Sequence, residues 1–199
     1  GEPDEALNLN QNIEIIGAGQ GVTILDGAGA ANWKSAFTIY NGAPDVRVQG
    51  LTIRNFENGI ALSSDGGCYF FTNMEVTLCT TGLQIVDGHL LRIDLSGSVI
   101  SENTTGIKQA AGSSNNLILY GTVSNNSGDG IIIYDGSGHE IHECTITGNN
   151  TSETAYGGVA VIDASAILRR NVIDGNHCYG VYADDGLSTQ HLDATYNYW

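Results

Sequence analysis

Gly59-Ile60-Ala61-Leu62 is the stretch that decides the fold, because its pattern of a glycine followed by a short apolar segment returns along the chain. Its counterparts are Gly82-Leu83-Gln84-Ile85, Gly106-Ile107-Lys108-Gln109, Gly130-Ile131-Ile132-Ile133, Gly158-Val159-Ala160-Val161 and Gly180-Val181-Tyr182-Ala183. Successive glycines are 23, 24, 24, 28 and 22 residues apart. A period of this size indicates a solenoid, in which each repeat buries its apolar face only by stacking on its neighbours.

A second apolar segment precedes each glycine and ends in a polar turn, as in Val99-Ile100-Ser101-Glu102-Asn103. Such segments are too short for helices, and their Val, Ile and Thr content is typical of strands. Each repeat should hold two or three strands that pair in parallel with those of the next repeat, about 4.8 Å away. The predicted fold is all-β, a single-stranded parallel β-helix of about seven to eight coils that takes up residues 1–199 as one domain.

One asparagine recurs near the end of this second segment. The set predicted to stack is Asn55, Asn103, Asn126, Asn149, Asn176 and Asn197. Asparagine tolerates left-handed backbone geometry and bonds the neighbouring backbone, so one residue per coil can form an amide ladder. The prediction for these residues is structural.

The chain resembles the right-handed parallel β-helix family that includes pectate lyases, polygalacturonases and the NosD-like repeat proteins of prokaryotic cell surfaces. Asn12-Ile13-Glu14-Ile15-Ile16-Gly17-Ala18-Gly19 and Thr23-Ile24-Leu25-Asp26-Gly27 resemble the first coils of that family, and Asn197-Tyr198-Trp199 resembles the Asn-x-Trp of a late coil. The resemblance covers essentially the whole chain and implies a right-handed helix. It implies no single activity, because this fold hosts lyases, hydrolases, adhesins and inert scaffolds.

The charge of the chain limits its partners. Twenty-two acidic residues against seven basic ones give a net charge of −15, which argues against nucleic acid and against an anionic membrane. No apolar run approaches the length that crosses a bilayer. The two lysines and the sequons at Asn103, Asn125 and Asn149 favour an extracellular, cell-surface location.

The four cysteines are Cys68, Cys79, Cys144 and Cys178. They contain no Cys-x-x-Cys pair, so a zinc site is not predicted. Cys79 falls where the ladder would place an asparagine, which predicts a packed free thiol. No two cysteines occupy matching positions of adjacent coils, but a Cys68–Cys79 disulfide and disulfides between molecules stay open.

An acidic file is the first candidate site. Asp87, Asp135, Asp163 and Asp185 each follow their repeat glycine by five residues. Carboxylates stacked at coil spacing would repel each other, and Ca²⁺ would relieve that repulsion. Most of these residues precede a glycine, however, which favours a turn role over calcium binding. No other cofactor is predicted.

A catalytic cluster is the second candidate site. If the chain is an enzyme, His177, Asp184 and Asp185 are the residues to carry the reaction, with the adjacent aspartates as acid and base. The Asn-Thr-Asp, Gly-His-Gly and Arg-Ile-Lys signatures of the polygalacturonases do not occur. The two lysines, Lys34 and Lys108, lie away from this cluster in the repeat. An enzyme is therefore the less expected outcome.

The end coils are the last clue. Leu7 and Leu9 lie in the first predicted strand, and Tyr196, Tyr198 and Trp199 lie in the last coil. No amphipathic helix or polar tail is predicted to cover either end, so the chain is either a segment of a larger protein such as an adhesin or pairs with copies of itself. The leading expectation is an extracellular structural protein that self-assembles into a surface layer, sheath or fibre. The alternative is a β-helix that binds or cleaves a cell-wall polysaccharide.

Overall fold

A computed structural model describes residues 5–28, 34–40, 45–184 and 191–199 of the chain, and these residues form a parallel β-helix. The strands are β1 (Glu5–Leu9), β2 (Ile13–Ile16), β3 (Ile24–Asp26), β4 (Ser35–Tyr40), β5 (Asp45–Gln49), β6 (Thr52–Arg54), β7 (Asn58–Ser63), β8 (Asp65–Thr72), β9 (Glu75–Thr77), β10 (Thr81–Ile85), β11 (His89–Asp94), β12 (Val99–Ser101), β13 (Thr105–Gln109), β14 (Leu117–Leu119), β15 (Thr122–Ser124), β16 (Ile131–Tyr134), β17 (His139–His142), β18 (Thr145–Thr147), β19 (Gly157–Ile162), β20 (Ala166–Arg169), β21 (Val172–Asp174), β22 (Tyr179–Asp184) and β23 (Leu192–Asp193). The described residues contain no helix, which confirms the all-β solenoid. No membrane-spanning helix occurs within them.

Every third strand belongs to the same sheet. Sheet A runs β1-β4-β7-β10-β13-β16-β19-β22, sheet B runs β2-β5-β8-β11-β14-β17-β20-β23, and sheet C runs β3-β6-β9-β12-β15-β18-β21. Each coil therefore contributes one strand to each of three parallel sheets. In the last coil, a bridge between Val172 and Tyr198 continues sheet C.

Inward-facing columns of apolar side chains fill the space between the three sheets. Because side chains alternate along a strand, one set of positions on each sheet points to the core. These positions are almost completely buried, and β-branched residues dominate them; examples are Ile60, Leu83, Ile107, Ile131 and Val159 on sheet A, Val46, Tyr69, Ile93, Ile118 and Ile141 on sheet B, and Ile53, Val76, Ile100, Val123 and Ile146 on sheet C. Each fully buried side chain of this size contributes about 1.5–3 kcal/mol to folding.

The repeat glycine lies at the corner where sheet C passes into sheet A. A Cβ on Gly106 would lie 2.5 Å from the carbonyl oxygen of Gly130 and 2.6 Å from Cγ1 of Val123. Gly130 and Gly158 are equally restricted by the carbonyl of the next coil. The glycine recurs in these coils because the next coil leaves no space for a Cβ, whereas Ala36 holds the same position in an earlier coil.

An asparagine ladder follows the turn between sheets C and A. The backbone N–H of Asn103 donates to Oδ1 of Asn126 (3.0 Å), that of Asn126 to Oδ1 of Asn149 (3.2 Å), and that of Asn149 to Oδ1 of Asn176 (3.0 Å). Each side-chain Nδ2 also donates to a strand carbonyl one coil back, such as Asn126 Nδ2 to Ile100 O at 3.3 Å. The ladder therefore satisfies backbone groups that the turn would leave unpaired.

Two of the asparagines assigned to this ladder lie elsewhere. Asn55 has φ of 61° and its Nδ2 donates to Asp26 Oδ1 at the surface, because the register puts Phe56 in line with Cys79. Asn197 belongs to a second ladder at the turn between sheets B and C, where its Oδ1 accepts from the N–H of Asn171 (3.0 Å). Because coil lengths vary by several residues, counting a constant number of residues along the sequence does not stay at one position of the coil.

Candidate functional site

The predicted catalytic residues do not meet in the described part of the chain. His177 precedes β22 and Asp184 ends it, so they lie at opposite ends of a strand that rises about 3.3 Å per residue. His177 instead lies beside Glu153, with Nδ1 and Oε1 3.7 Å apart and both side chains exposed. Asp185 lies outside the described residues.

The acidic file is interrupted. The register of sheet A puts Ala111 on the coil between Asp87 and Asp135, and only Asp135 and Asp163 are neighbours. Asp135 has φ of 57° and its Oδ1 accepts the N–H of Gly136 at 2.7 Å, which is a turn contact. The fourth member, Asp185, is again outside the described residues. Within those residues, no three His, Cys, Asp or Glu side chains are grouped to hold a metal ion, so the calcium hypothesis has no ligand set there.

All four cysteines are free thiols, so the candidate Cys68–Cys79 disulfide is absent. Cys68 lies on β8 of sheet B, whereas Cys79 is buried in the turn after sheet C, where its thiol donates to Thr77 O (3.3 Å). Burial raises the pKa of Cys79 to about 11 and that of Cys144 to about 12. Only Cys178 is exposed. The two buried thiols therefore pack as small apolar groups.

A cluster of tyrosines, which the sequence analysis missed, covers the outer side of sheet A in the late coils. We call Tyr134, Tyr156, Tyr179 and Tyr182 the tyrosine face. The rings of Tyr156 and Tyr182 stack with centroids 4.3 Å apart, and Tyr179 is tilted against Tyr182 at 5.5 Å. Nζ of Lys108 lies 6.0 Å above the ring of Tyr134. Tyr134 and Tyr182 follow their repeat glycine by four and two residues, whereas Tyr156 and Tyr179 precede theirs by two and one. This irregular spacing can be read as a cluster only once the register is known.

Asp129 holds the segment that supplies Tyr156. Its Oδ1 accepts the backbone N–H groups of Tyr156 (2.8 Å) and Gly157 (2.7 Å). The carboxyl group is buried, and burial raises its pKa above the usual range. Burial, together with the charge of Asp129, also raises the pKa of the Tyr134 hydroxyl. Asp129 therefore fixes the backbone at Tyr156, one member of the tyrosine face.

The residues assigned to the assembly ends lie on two opposite faces, which we call the first end face and the last end face. Leu7 and Leu9 belong to β1 on the first; Leu7 is exposed and Leu9 is buried. Tyr196, Tyr198 and Trp199 are all exposed on the last. Both faces thus present apolar side chains to solvent.

Comparison with known proteins identifies the family of the chain. A family model described as "Right handed beta helix region" matches residues 35–194, which is most of the chain. Comparisons with the curated proteins and with the solved structures found no match.

Proposed function

The chain belongs to the right-handed β-helix family, and from this premise we propose that it is an extracellular structural protein whose copies join end to end into a cell-surface layer, sheath or fibre. Membership of the family does not select this function, because function depends on sites carried by the fold. The observation that carries the proposal is the exposure of core-position side chains on both end faces.

On the last end face, Trp199 extends the inward column of sheet C. The pairing of Val172 with Tyr198 puts Trp199 in register with Ile173, which is 2 % exposed, whereas Trp199 is 64 % exposed. Val181 likewise continues the sheet A column from Val159 and is only partly buried. One further coil would take these side chains out of water.

On the first end face, Leu7 occupies the same kind of position. It is in register with Phe37, which is fully buried, but is itself 42 % exposed. Ile13 and Leu25 hold the corresponding positions of sheets B and C and are partly buried. The two end faces are therefore apolar at the same three register positions.

A join in register makes these positions complementary. In sheets A and B, a large residue of the first end face then meets a smaller residue, Val181 or Ala194. In sheet C it meets a tryptophan. The pairs are Leu7 with Val181, Ile13 with Ala194 and Leu25 with Trp199. The edge strands would also pair their open backbone groups by strand addition.

Such a join is heterologous, because the two faces belong to different ends of the molecule. Repeating a heterologous contact generates an open filament rather than a closed dimer. The net charge of −15 keeps the sides of such a filament soluble. A linear polymer of β-helices is the expected product.

Sedimentation velocity and electron microscopy of the purified protein test this proposal. We expect filaments that lengthen with protein concentration and that Trp199→Lys converts to monomers. Tyr120→Lys is the matched control, because Tyr120 is 41 % exposed on the side of the helix, away from both end faces. A wild-type protein that stays monomeric at all concentrations would overturn the proposal, as would equal loss of filaments in both variants.

A second candidate function, binding of a cell-wall polysaccharide, is favoured by the tyrosine face. Tyrosine offers a large, rigid contact area with one polar end, and such surfaces suit ligands that present both C–H and hydroxyl groups. Lys108 is one of only two lysines and lies beside this face. Retention of the protein on insoluble cellulose or chitin, lost in Tyr182→Ala but kept in Tyr120→Ala, would support binding. Absence of retention on either polymer would exclude these ligands.

A further inference from the structure

The chain has four sequons, which open at Asn103, Asn125, Asn149 and Asn150, and they differ in exposure. Asn150 is fully buried, and its side chain is hydrogen-bonded to the backbone of Ala155. Asn103 and Asn149, which open two of them, are 1 % and 0 % exposed, and their side chains are hydrogen-bonded within the asparagine ladder. Asn125, which opens Asn125-Asn126-Ser127, is exposed. The difference follows from their columns: the ladder position points inward, and the position before it points outward.

The carboxamide of Asn125 lies over a glycine of the next coil. Asn125 has φ of 54° and lies in the turn after β15, at a position that Glu102 holds in the preceding coil and Gly148 in the following coil. A Cβ on Gly148 would lie 2.6 Å from Oδ1 of Asn125, so only glycine leaves space for this side chain. Gly175 occupies the same position one coil further on, with φ of 63°. Two successive coils thus present a ridge without side chains next to Asn125.

We infer that Asn125 is an N-glycosylation site, a modification that rests on the proposed extracellular location. The donor is a lipid-linked oligosaccharide. Nδ2 of Asn125 forms a bond to the anomeric carbon of the first sugar, the bond from that carbon to the lipid phosphate oxygen breaks, and the lipid phosphate leaves with the electron pair. The proton lost from Nδ2 passes to a base of the transferase. The Ser127 hydroxyl completes the motif that the transferase reads.

The position of Asn125 is compatible with end-to-end assembly. It follows β15, which is the third strand from one edge of the seven-stranded sheet C and the fifth from the other, so it lies away from both end faces. A glycan there projects from the side of the helix over Gly148 and Gly175. It would shield the side of a filament without blocking the join.

The test is expression of the full chain behind a secretion signal in a eukaryotic host that N-glycosylates, followed by peptide mass spectrometry. We expect an oligosaccharide mass on the peptide that contains Asn125, and its complete loss in both Asn125→Gln and Ser127→Ala. An unmodified Asn125 in cells that glycosylate a co-expressed reporter would overturn the inference, as would a glycan on Asn103, Asn149 or Asn150 of the folded protein. Filament formation is measured separately on the same samples, so an unglycosylated filament would refute this site while leaving the proposed assembly intact.

Discussion

Asn126 illustrates how a single side chain connects three coils. It is fully buried, its Oδ1 accepts from Asn103, and its Nδ2 donates to Ile100 O and to Asn149 Oδ1. Asn126→Ala leaves the buried backbone N–H of Asn103 and the buried carbonyl of Ile100 without these partners. Each unsatisfied group costs about 1–3 kcal/mol. We expect the free energy of unfolding, measured by urea denaturation, to fall by about 2–4 kcal/mol. Asn55→Ala, at an exposed turn, is the control, and an equal loss in both would contradict the ladder.

The buried pair of His139 and Gln109 predicts acid sensitivity. Both side chains are 1 % exposed, with Gln109 Nε2 2.6 Å from His139 Nδ1, and burial lowers the pKa of His139 below its usual value despite nearby Asp135. In the unfolded chain His139 titrates near about 6.5, so below that pH the unfolded state binds more protons and stability falls. The free energy of unfolding, measured at pH 7.5 and at pH 5.5, should show this loss. The double variant His139→Leu, Gln109→Leu should reduce the loss. If the double variant lost as much stability between pH 7.5 and pH 5.5 as the wild type, the pH dependence would belong to other groups.

The cysteines predict a graded thiol reactivity. The thiolate is the reactive form, and with pKa values of about 11 and 12 the thiols of Cys79 and Cys144 stay protonated at pH 8. We expect Cys178 to react with a disulfide reagent first, and Cys79 and Cys144 only after unfolding in denaturant. Cys178→Ser should remove the fast phase. Rapid labelling of Cys144 in the native protein would show that its coil opens.

At the scale of elements, the segment before β19 depends on one carboxylate. Asp129 accepts the N–H groups of Tyr156 and Gly157, so Asp129→Ala should release this segment and disturb the stacking of Tyr156 on Tyr182. We expect much faster hydrogen exchange at these two amides, with little change in the ladder. Asp129→Asn keeps an acceptor oxygen without the charge and should retain most of the protection. Equal exchange in both variants would show that the oxygen does not hold the segment.

The elements also show what the sequence could and could not predict. The strand order and the glycine column were predictable, because the corner excludes a side chain at Gly106 and at the same position of neighbouring coils and so leaves a periodic mark. The exact column of an asparagine was not, since Asn55 and Asn197 fit the period but lie in other turns. The tyrosine face was missed because its members come from three different segments that only the register brings together. Turn residues such as Asp135 give the same sequence pattern as a column of metal ligands, since carboxylates are common both in turns and at metal sites.

At the scale of the whole molecule, net charge opposes the proposed assembly. Two copies of charge −15 repel each other, and exposed Glu14 on the first coil and Asp184 on the last coil bring like charges towards the join. Salt screens this repulsion, with a Debye length of about 10 Å at 0.1 M, but leaves apolar burial intact. We therefore expect the critical concentration for filaments, measured by sedimentation, to fall as NaCl rises from about 10 to 150 mM.

The same measurement separates apolar joining from the alternatives. Because all four thiols are free, a reducing agent should leave the filaments unchanged, in contrast to a polymer held by disulfides. Asp184→Asn should lower the critical concentration at low salt and have little effect at high salt, because it removes one repelling charge near the join. Asp94→Asn, on the outer side of β11 in the middle of sheet B, is the matched control and should change little. Filaments that dissolve on adding salt would mean that ion pairs, not the apolar end faces, hold the copies together.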